Sequence, residues 1–272
     1  MATIPPEAPA SLSTDDAWEA WGRRDPYFGV ITQPRFRSDA LDHDARREFF
    51  DSGRHHAEYV MAMIRQHIHP GFAPKSVLDF GCGVGRVLVS FAAIAPDVLG
   101  VDVSPSMLAE AQRNCEAAGA RSVRLQGADD ELTGIEGNFD LVHSFIVLQH
   151  IAPERVRVIF ASLLERIAPQ GVGAIHFAYS KDWFEPTHGM PPPPEPPPSG
   201  PPPAEPPSAQ SEPPVQAPVA PPPDPEMQMN PYPMTQALFA MQRAGVQRFH
   251  AEFTDHGGEL GVFLFFQRPA SA

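Results

Sequence analysis

Apolar positions in this chain follow two rhythms that take turns. Between residues 41 and 68 Tyr59, Met63 and Ile64 recur on one helical face, with Ala57, Val60 and Ile68 beside them. That spacing predicts a long amphipathic helix ending at Pro70-Gly71. Short apolar runs then alternate with helical patterns: strand 76–81, helix 84–94, strand 98–103, helix 105–118, strand 122–126, strand 139–145, helix 153–167 and strand 172–178. Ser104 offers an N-cap, and Pro105 suits the first helical position. Strands apolar on both sides and alternating with helices predict an α/β domain whose parallel sheet is covered on both faces. Near the end the pattern predicts a helix at 234–241 closed by Gly245. Two apolar runs, 246–253 and 259–266, follow around Asp255-His256-Gly257-Gly258 and read as an antiparallel hairpin.

Composition breaks this regularity in one place. From 186 to 225 about twenty of the chain's 34 prolines stand among Glu, Ser and Ala with no Lys or Arg, a mixture that cannot bury a core. The expected organisation is a disordered start over 1–15, an aromatic arm or lid over 16–53, a core over 54–185, a proline-rich disordered insertion over 186–230, and a helix and hairpin over 231–272 that complete the core. In the arm, Trp18, Trp21, Tyr27 and Phe28 are too apolar for a free tail and should cover the cleft.

The chemistry concentrates in Val77-Leu78-Asp79-Phe80-Gly81-Cys82-Gly83-Val84-Gly85-Arg86. A strand ends there in a glycine turn and a helix opens beyond it, so bare backbone and unpaired N–H groups face whatever sits at the turn. About twenty residues on, the second strand ends in Asp102, whose carboxylate can accept from both hydroxyls of a ribose. A dinucleotide fingerprint would carry its third glycine where this chain has Arg86. Asp79, two residues before the first glycine, would repel a pyrophosphate but attract an ammonium.

The segments VLDFGCGVGR and VLGVDVSPSML resemble the glycine-rich motif and the acidic strand end of the class I S-adenosylmethionine-dependent methyltransferases. The resemblance continues through Phe139-Asp140-Leu141-Val142-His143-Ser144 with Gln149-His150, and through Leu164-Glu165-Arg166-Ile167-Ala168-Pro169-Gln170-Gly171, where Gln170 departs from the family's usual turn. It implies a Rossmann-like, doubly wound, seven-stranded sheet, mostly parallel with one antiparallel strand in the C-terminal hairpin. It also implies S-adenosylmethionine as cofactor, with Asp79, Gly81, Gly83, Asp102, Met107, Asp129 and Ser144 around it; Asp130 is the second choice for the acid near the adenine. Tyr27 and Arg35 are candidates for closing over the cofactor's carboxylate. His150 is the candidate base, since an imidazole titrates near neutral pH, or else it orients the loop. The activity implied is direct displacement of a methyl group onto an O or N atom of a small-molecule acceptor. Two rivals stand beside it: a non-catalytic cofactor-binding adaptor whose Pro-x-x-P spacings recruit a partner, and a nicotinamide dehydrogenase, which lacks a Tyr-x-x-x-Lys pair here.

The bulk numbers narrow the class further. A formal net charge of −13 leaves no basic stripe for nucleic acid. Cys82 and Cys115 read as reduced thiols of a cytoplasmic protein. No apolar run is long enough to span a bilayer. His55-His56 and His67-Ile68-His69 have no adjacent cysteine or acid cluster, so no metal is expected. His143 and His176, inside apolar strands, are expected as hydrogen-bonded core residues.

Overall fold

The computed structural model describes residues 13–181 and 223–270, so the expected disordered start and most of the proline-rich stretch lie outside the described residues. Among the described residues, seven strands form one sheet: β1 (Ser76–Phe80), β2 (Asp97–Asp102), β3 (Val123–Gly127), β4 (Phe139–Ser144), β5 (Ile167–Ser180), β6 (Phe249–Asp255) and β7 (Leu260–Gln267). Their order is β3-β2-β1-β4-β5-β7-β6. Neighbours from β3 to β5 pair in parallel, while β7 runs antiparallel to both β5 and β6. This is a Rossmann-like doubly wound sheet with a single reversed strand.

Helices α1 (Thr14–Arg24), α2 (Pro26–Val30), α3 (His43–Met63), α4 (Leu88–Phe91), α5 (Pro105–Ala117), α6 (Pro153–Arg166) and α7 (Met234–Arg243) surround it. On one face Val156, Phe160 and Leu163 of α6, with Ala237 and Met241 of α7, pack on Leu78, Val142, Phe177 and Leu264. On the other, Val60 and Ile64 join Leu88 and Phe91 against Val77, Leu141 and Phe265. Both faces are covered, which is why the central strands carry consecutive apolar residues, Val77-Leu78 in β1 and Leu141-Val142 in β4, rather than apolar residues only at alternate positions.

Two elements differ from the sequence pattern. The helix expected over 84–94 shrinks to the single turn of α4, because Gly81, Gly83 and Gly85 take φ of 73°, 52° and 82° and hold the chain outside helical geometry. The long helix ends its regular part at Met63 and continues as a π turn, Ile64–Ile68. The arm is helical from Thr14 rather than beginning beyond residue 15. It has its own core, in which Trp21, Tyr27, Phe36 and Phe49 meet Val84 of the glycine turn and Met107 of α5. Among the described residues no helix is long and apolar enough to cross a membrane.

Candidate active site

The carboxyl ends of β1, β2 and β4 meet where the strand order reverses from β1, the place where open α/β sheets bind ligands. A cavity of about 550 Å³ opens there. Its floor is the glycine turn. The amides of Gly81 and Cys82 donate to Val101 O at 2.8 and 3.0 Å, which fastens the turn to the end of β2. A side chain at Gly81 would come within 2.5 Å of Val147, so this position has to be bare.

Asp102 stands at the end of β2 on the cavity wall. One carboxylate oxygen accepts from the Gly83 amide and the other from the Ser104 amide, both at 2.9 Å. Each oxygen retains a lone pair for a further donor. Burial pushes the Asp102 carboxyl up to about 6 despite the Ser104 and Gly83 amides. A half-buried acceptor pair beside bare backbone fits the hydroxyls of a ribose. Met107 and Asp129 also line the cavity, Met107 buried and Asp129 exposed with Thr133 N donating to it at 2.9 Å. These residues fit an adenosine cofactor.

Four expected residues are placed differently. Asp79 is not on the cavity wall: β1 and β4 place it beside His143, whose Nδ1 donates to its Oδ1 at 2.7 Å. His143 is thus a paired core residue, and its Nε2 lies 2.9 Å from Nε2 of His56. Burial, then the neighbouring His143, pushes the His56 imidazole down to about 2. Ser144 is fully buried behind the wall with its hydroxyl unpaired, rather than facing the cavity. Tyr27 and Arg35 do not close over the cleft. The Tyr27 hydroxyl is buried against Glu110 and Asn114, at 2.5 and 2.9 Å, and Arg35 is exposed and paired with Glu48. An aromatic with two polar partners on α5 is worth more inside the arm's core than in an open cleft.

At the glycine turn the cavity is lined by a cation, Arg86, which in the sequence pattern speaks only against a dinucleotide. Its Nε is buried without a partner, while one of its terminal nitrogens donates to Ser52 Oγ at 3.2 Å. Burial pushes its pKa down, and the negative charge of Asp79 opposes that.

The other half of the cavity lies beyond β4. Ile146 takes φ of 56°, a strained value for a β-branched residue, and turns the chain into Gln149 and His150. His150 lines the cavity, with Trp18 of α1 edge-on to its ring at 5.0 Å. Its Nδ1 faces Gln228 O at 2.8 Å. A carbonyl only accepts, so Nδ1 holds the proton and Nε2 keeps a lone pair. Burial pushes the imidazole's pKa down, outweighing the Gln228 carbonyl, which favours this neutral form.

Gln228 belongs to residues that the composition assigns to the insertion, yet 226–232 are laid along the cleft. Asn230 N donates to Gln149 O at 2.6 Å, and Tyr232 N to Ala178 O at 2.8 Å. Met227 and Met229 then complete the wall with Trp18, Phe145 and Ile146. The return of large apolar residues in Glu226-Met227-Gln228-Met229 after a run of proline is the signal that could have found them. Besides the Tyr27 hydroxyl on α5, two further polar links hold the start of the arm. Arg155 of α6 bonds Asp15 at 2.8 Å and Asp130 at 2.8 Å. Glu19 of α1 accepts from Ser104 Oγ, Ser106 N and Ser106 Oγ at 2.8, 3.0 and 2.8 Å, at the start of α5.

Residues 77–171 match the family model of a methyltransferase domain. An uncharacterized methyltransferase from Synechocystis is 33% identical over 40% of this chain and 48% of its own length. A ubiquinone biosynthesis O-methyltransferase from Azorhizobium caulinodans is 32% identical over 35% of this chain and 37% of its own. The chain therefore spans about half or less of the length of the curated relatives it matches. For the fold, a magnesium protoporphyrin IX methyltransferase from Synechocystis, solved with S-adenosylmethionine bound, superimposes with a TM-score of 0.55 at 18% identity, covering 96% of this chain and all of that one. The matched residues contain the glycine turn, Asp102 and the β4 exit, so residues 77–171 are similar to a methyltransferase domain and the sheet around them shares the fold of that S-adenosylmethionine-bound structure.

Proposed function

We propose that the protein transfers a methyl group from S-adenosylmethionine to an oxygen or nitrogen atom of a small, neutral and largely apolar acceptor. The observation that carries this reading is the continuity of one cavity from Gly83 and Asp102 to His150. Asp102 would hold the ribose hydroxyls, Met107 the adenine face, and Arg86 the carboxylate of the methionine part. The sulfonium supplies an already activated methyl group, so the chain's task is to align the acceptor and exclude water.

His150 is suited to take the acceptor's proton at Nε2 as attack proceeds, because Gln228 O fixes the tautomer and burial keeps the ring neutral. Trp18, Phe145, Ile146, Met227 and Met229 favour a flat apolar body. Gln149 offers a buried oxygen without a partner for a donor on that body. The cation nearest this half, Arg155, is already held by Asp15 and Asp130, so a carboxylate acceptor would be buried uncompensated. The adaptor alternative draws no support from the relatives named above, each of which carries the name of a methyltransferase.

Calorimetric titration with S-adenosylmethionine and S-adenosylhomocysteine, with NAD as control, tests the cofactor. A panel of neutral phenols and amines against carboxylic acids, followed by release of S-adenosylhomocysteine, tests the acceptor class. Binding of the first two ligands and turnover of neutral acceptors is the expected result; binding of NAD, or turnover of carboxylates alone, would overturn it.

A further inference from the structure

The π turn Ile64–Ile68 at the end of α3 carries His67 to β6, the edge strand of the sheet. π turns re-aim side chains that a regular helix would point elsewhere. Here the imidazoles of His67 and His250 lie parallel, 3.6 Å between centroids and 5° between planes. Glu252 follows His250 on the same face of β6, with its Oε1 against His250 Nε2. Donor atoms from the three side chains all lie within 4.8 Å of one another, and no other trio of His, Cys, Asp or Glu converges in this way among the described residues. The sequence pattern set metal aside because no acid neighbours His67; the fold brings one from 185 positions away.

The cluster does no work for the cleft, which lies at the carboxyl ends of the parallel strands. His250 sits near the amino end of β6, which runs parallel to β5, so it is at the opposite end of the sheet. Nor is it core packing, because His67 is exposed and the other two are half-buried. Two imidazole nitrogens and a carboxylate oxygen are the donor set of three-ligand zinc sites, with water in the fourth position.

We infer that His67, His250 and Glu252 bind a divalent transition-metal ion of borderline softness, Zn²⁺ foremost. The ion displaces the proton that His250 Nε2 shares with Glu252, and that proton passes to the buffer. Small side-chain rotations splay the two rings so that both lone pairs reach one ion. The ion then fastens the end of α3 to the edge strand and stabilises the native state by linkage.

The test is calorimetric titration of untagged, chelator-treated full-length protein with zinc chloride, with thermal unfolding and the visible spectrum of the cobalt(II) form beside it. One equivalent should bind, raise the melting temperature and give the intense visible bands of low-coordinate cobalt. His250→Ala and Glu252→Gln should each weaken binding by about tenfold or more, at least the cost of losing an outer-shell partner. His67→Gln, an exposed change outside the sheet, should do the same and covers the case in which changes in β6 disturb the strand. His55→Ala should alter nothing. Failure of zinc to bind, or undiminished binding by His67→Gln, would overturn the site. S-adenosylmethionine affinity, measured in parallel, reports on the cleft alone.

Discussion

Glu19 accepts hydrogen bonds from both the amide and the hydroxyl of Ser106, at 3.0 and 2.8 Å. A carboxylate of the arm thereby caps the helix that starts just after Asp102. Burial raises the Glu19 pKa, but the Ser106 amide, the Ser104 and Ser106 hydroxyls and Arg23 outweigh it and bring the group down to about 2. A carboxyl depressed in the folded state stabilises it above the unfolded value near 4.5, and that contribution is lost as pH falls from there toward 2. Glu19→Gln should lower stability at neutral pH by about 1–2 kcal/mol, since charge-assisted bonds become neutral ones. Its unfolding should also lose part of the wild-type pH dependence between pH 5 and 3, as read by denaturant titration.

Asp102 should behave in the opposite sense. Its folded-state carboxyl is raised to about 6, so the ligand-free protein is favoured by protonation, and that contribution fades as pH rises through about 6. Cofactor binding that uses the charged carboxylate should then weaken below pH 6 in wild type. Asp102→Ala should bind S-adenosylmethionine far more weakly and show little of this pH dependence; wild-type affinity in the folded variant would remove Asp102 from the site.

For His150, burial lowers the pKa, so the neutral base persists to lower pH than for a free imidazole. His150→Gln should reduce kcat by about 10²–10⁴-fold with cofactor affinity unchanged, the range typical of a lost general base. An unaltered rate between pH 6 and 9 would reduce the residue to an orienting role.

Gly53 of α3 touches the glycine turn directly. A Cβ there would lie 2.0 Å from Arg86 O, which is backbone and cannot rotate away. Gly53→Ala should cost about 1–3 kcal/mol through overpacking and should weaken cofactor binding at the same time. Thermal unfolding and calorimetry on one preparation would check both.

Much of this was legible in the chain. Parallel strands buried on both faces leave continuous apolar runs, and a glycine turn followed by a strand-terminal acid leaves a local pattern, so the sheet and Asp102 could be read directly. What escaped depends on register and on segments far apart in sequence. Asp79 could be recognised as an acid at the turn, but only the pairing of β1 with β4 shows that His143 occupies it. Tyr27 has the composition of a lid residue, and only its partners on α5 place it inside. Met227 and Met229 follow a proline tract that hides them, because composition averages over a window and a cleft wall needs only two side chains.

Residues 228–232 are held on the cleft by the buried ring of Tyr232, by Thr14 Oγ1 donating to the Gln228 side chain, and by three main-chain groups: Gln228 O to His150, Asn230 N to Gln149 O, and Tyr232 N to Ala178 O. Any residue except proline preserves the two amide donors, and the carbonyl is indifferent to its side chain. Met227 and Met229 add only an apolar contact with the arm's core and a 3.9 Å contact from Gln149 Nε2 to Met229 Sδ, so most of the anchoring is independent of them and this part of the wall becomes an exchangeable panel. Variants at these two positions should exchange one acceptor for another while the fold and the cofactor half stay intact, so diversity in substrate could arise here at little cost to stability.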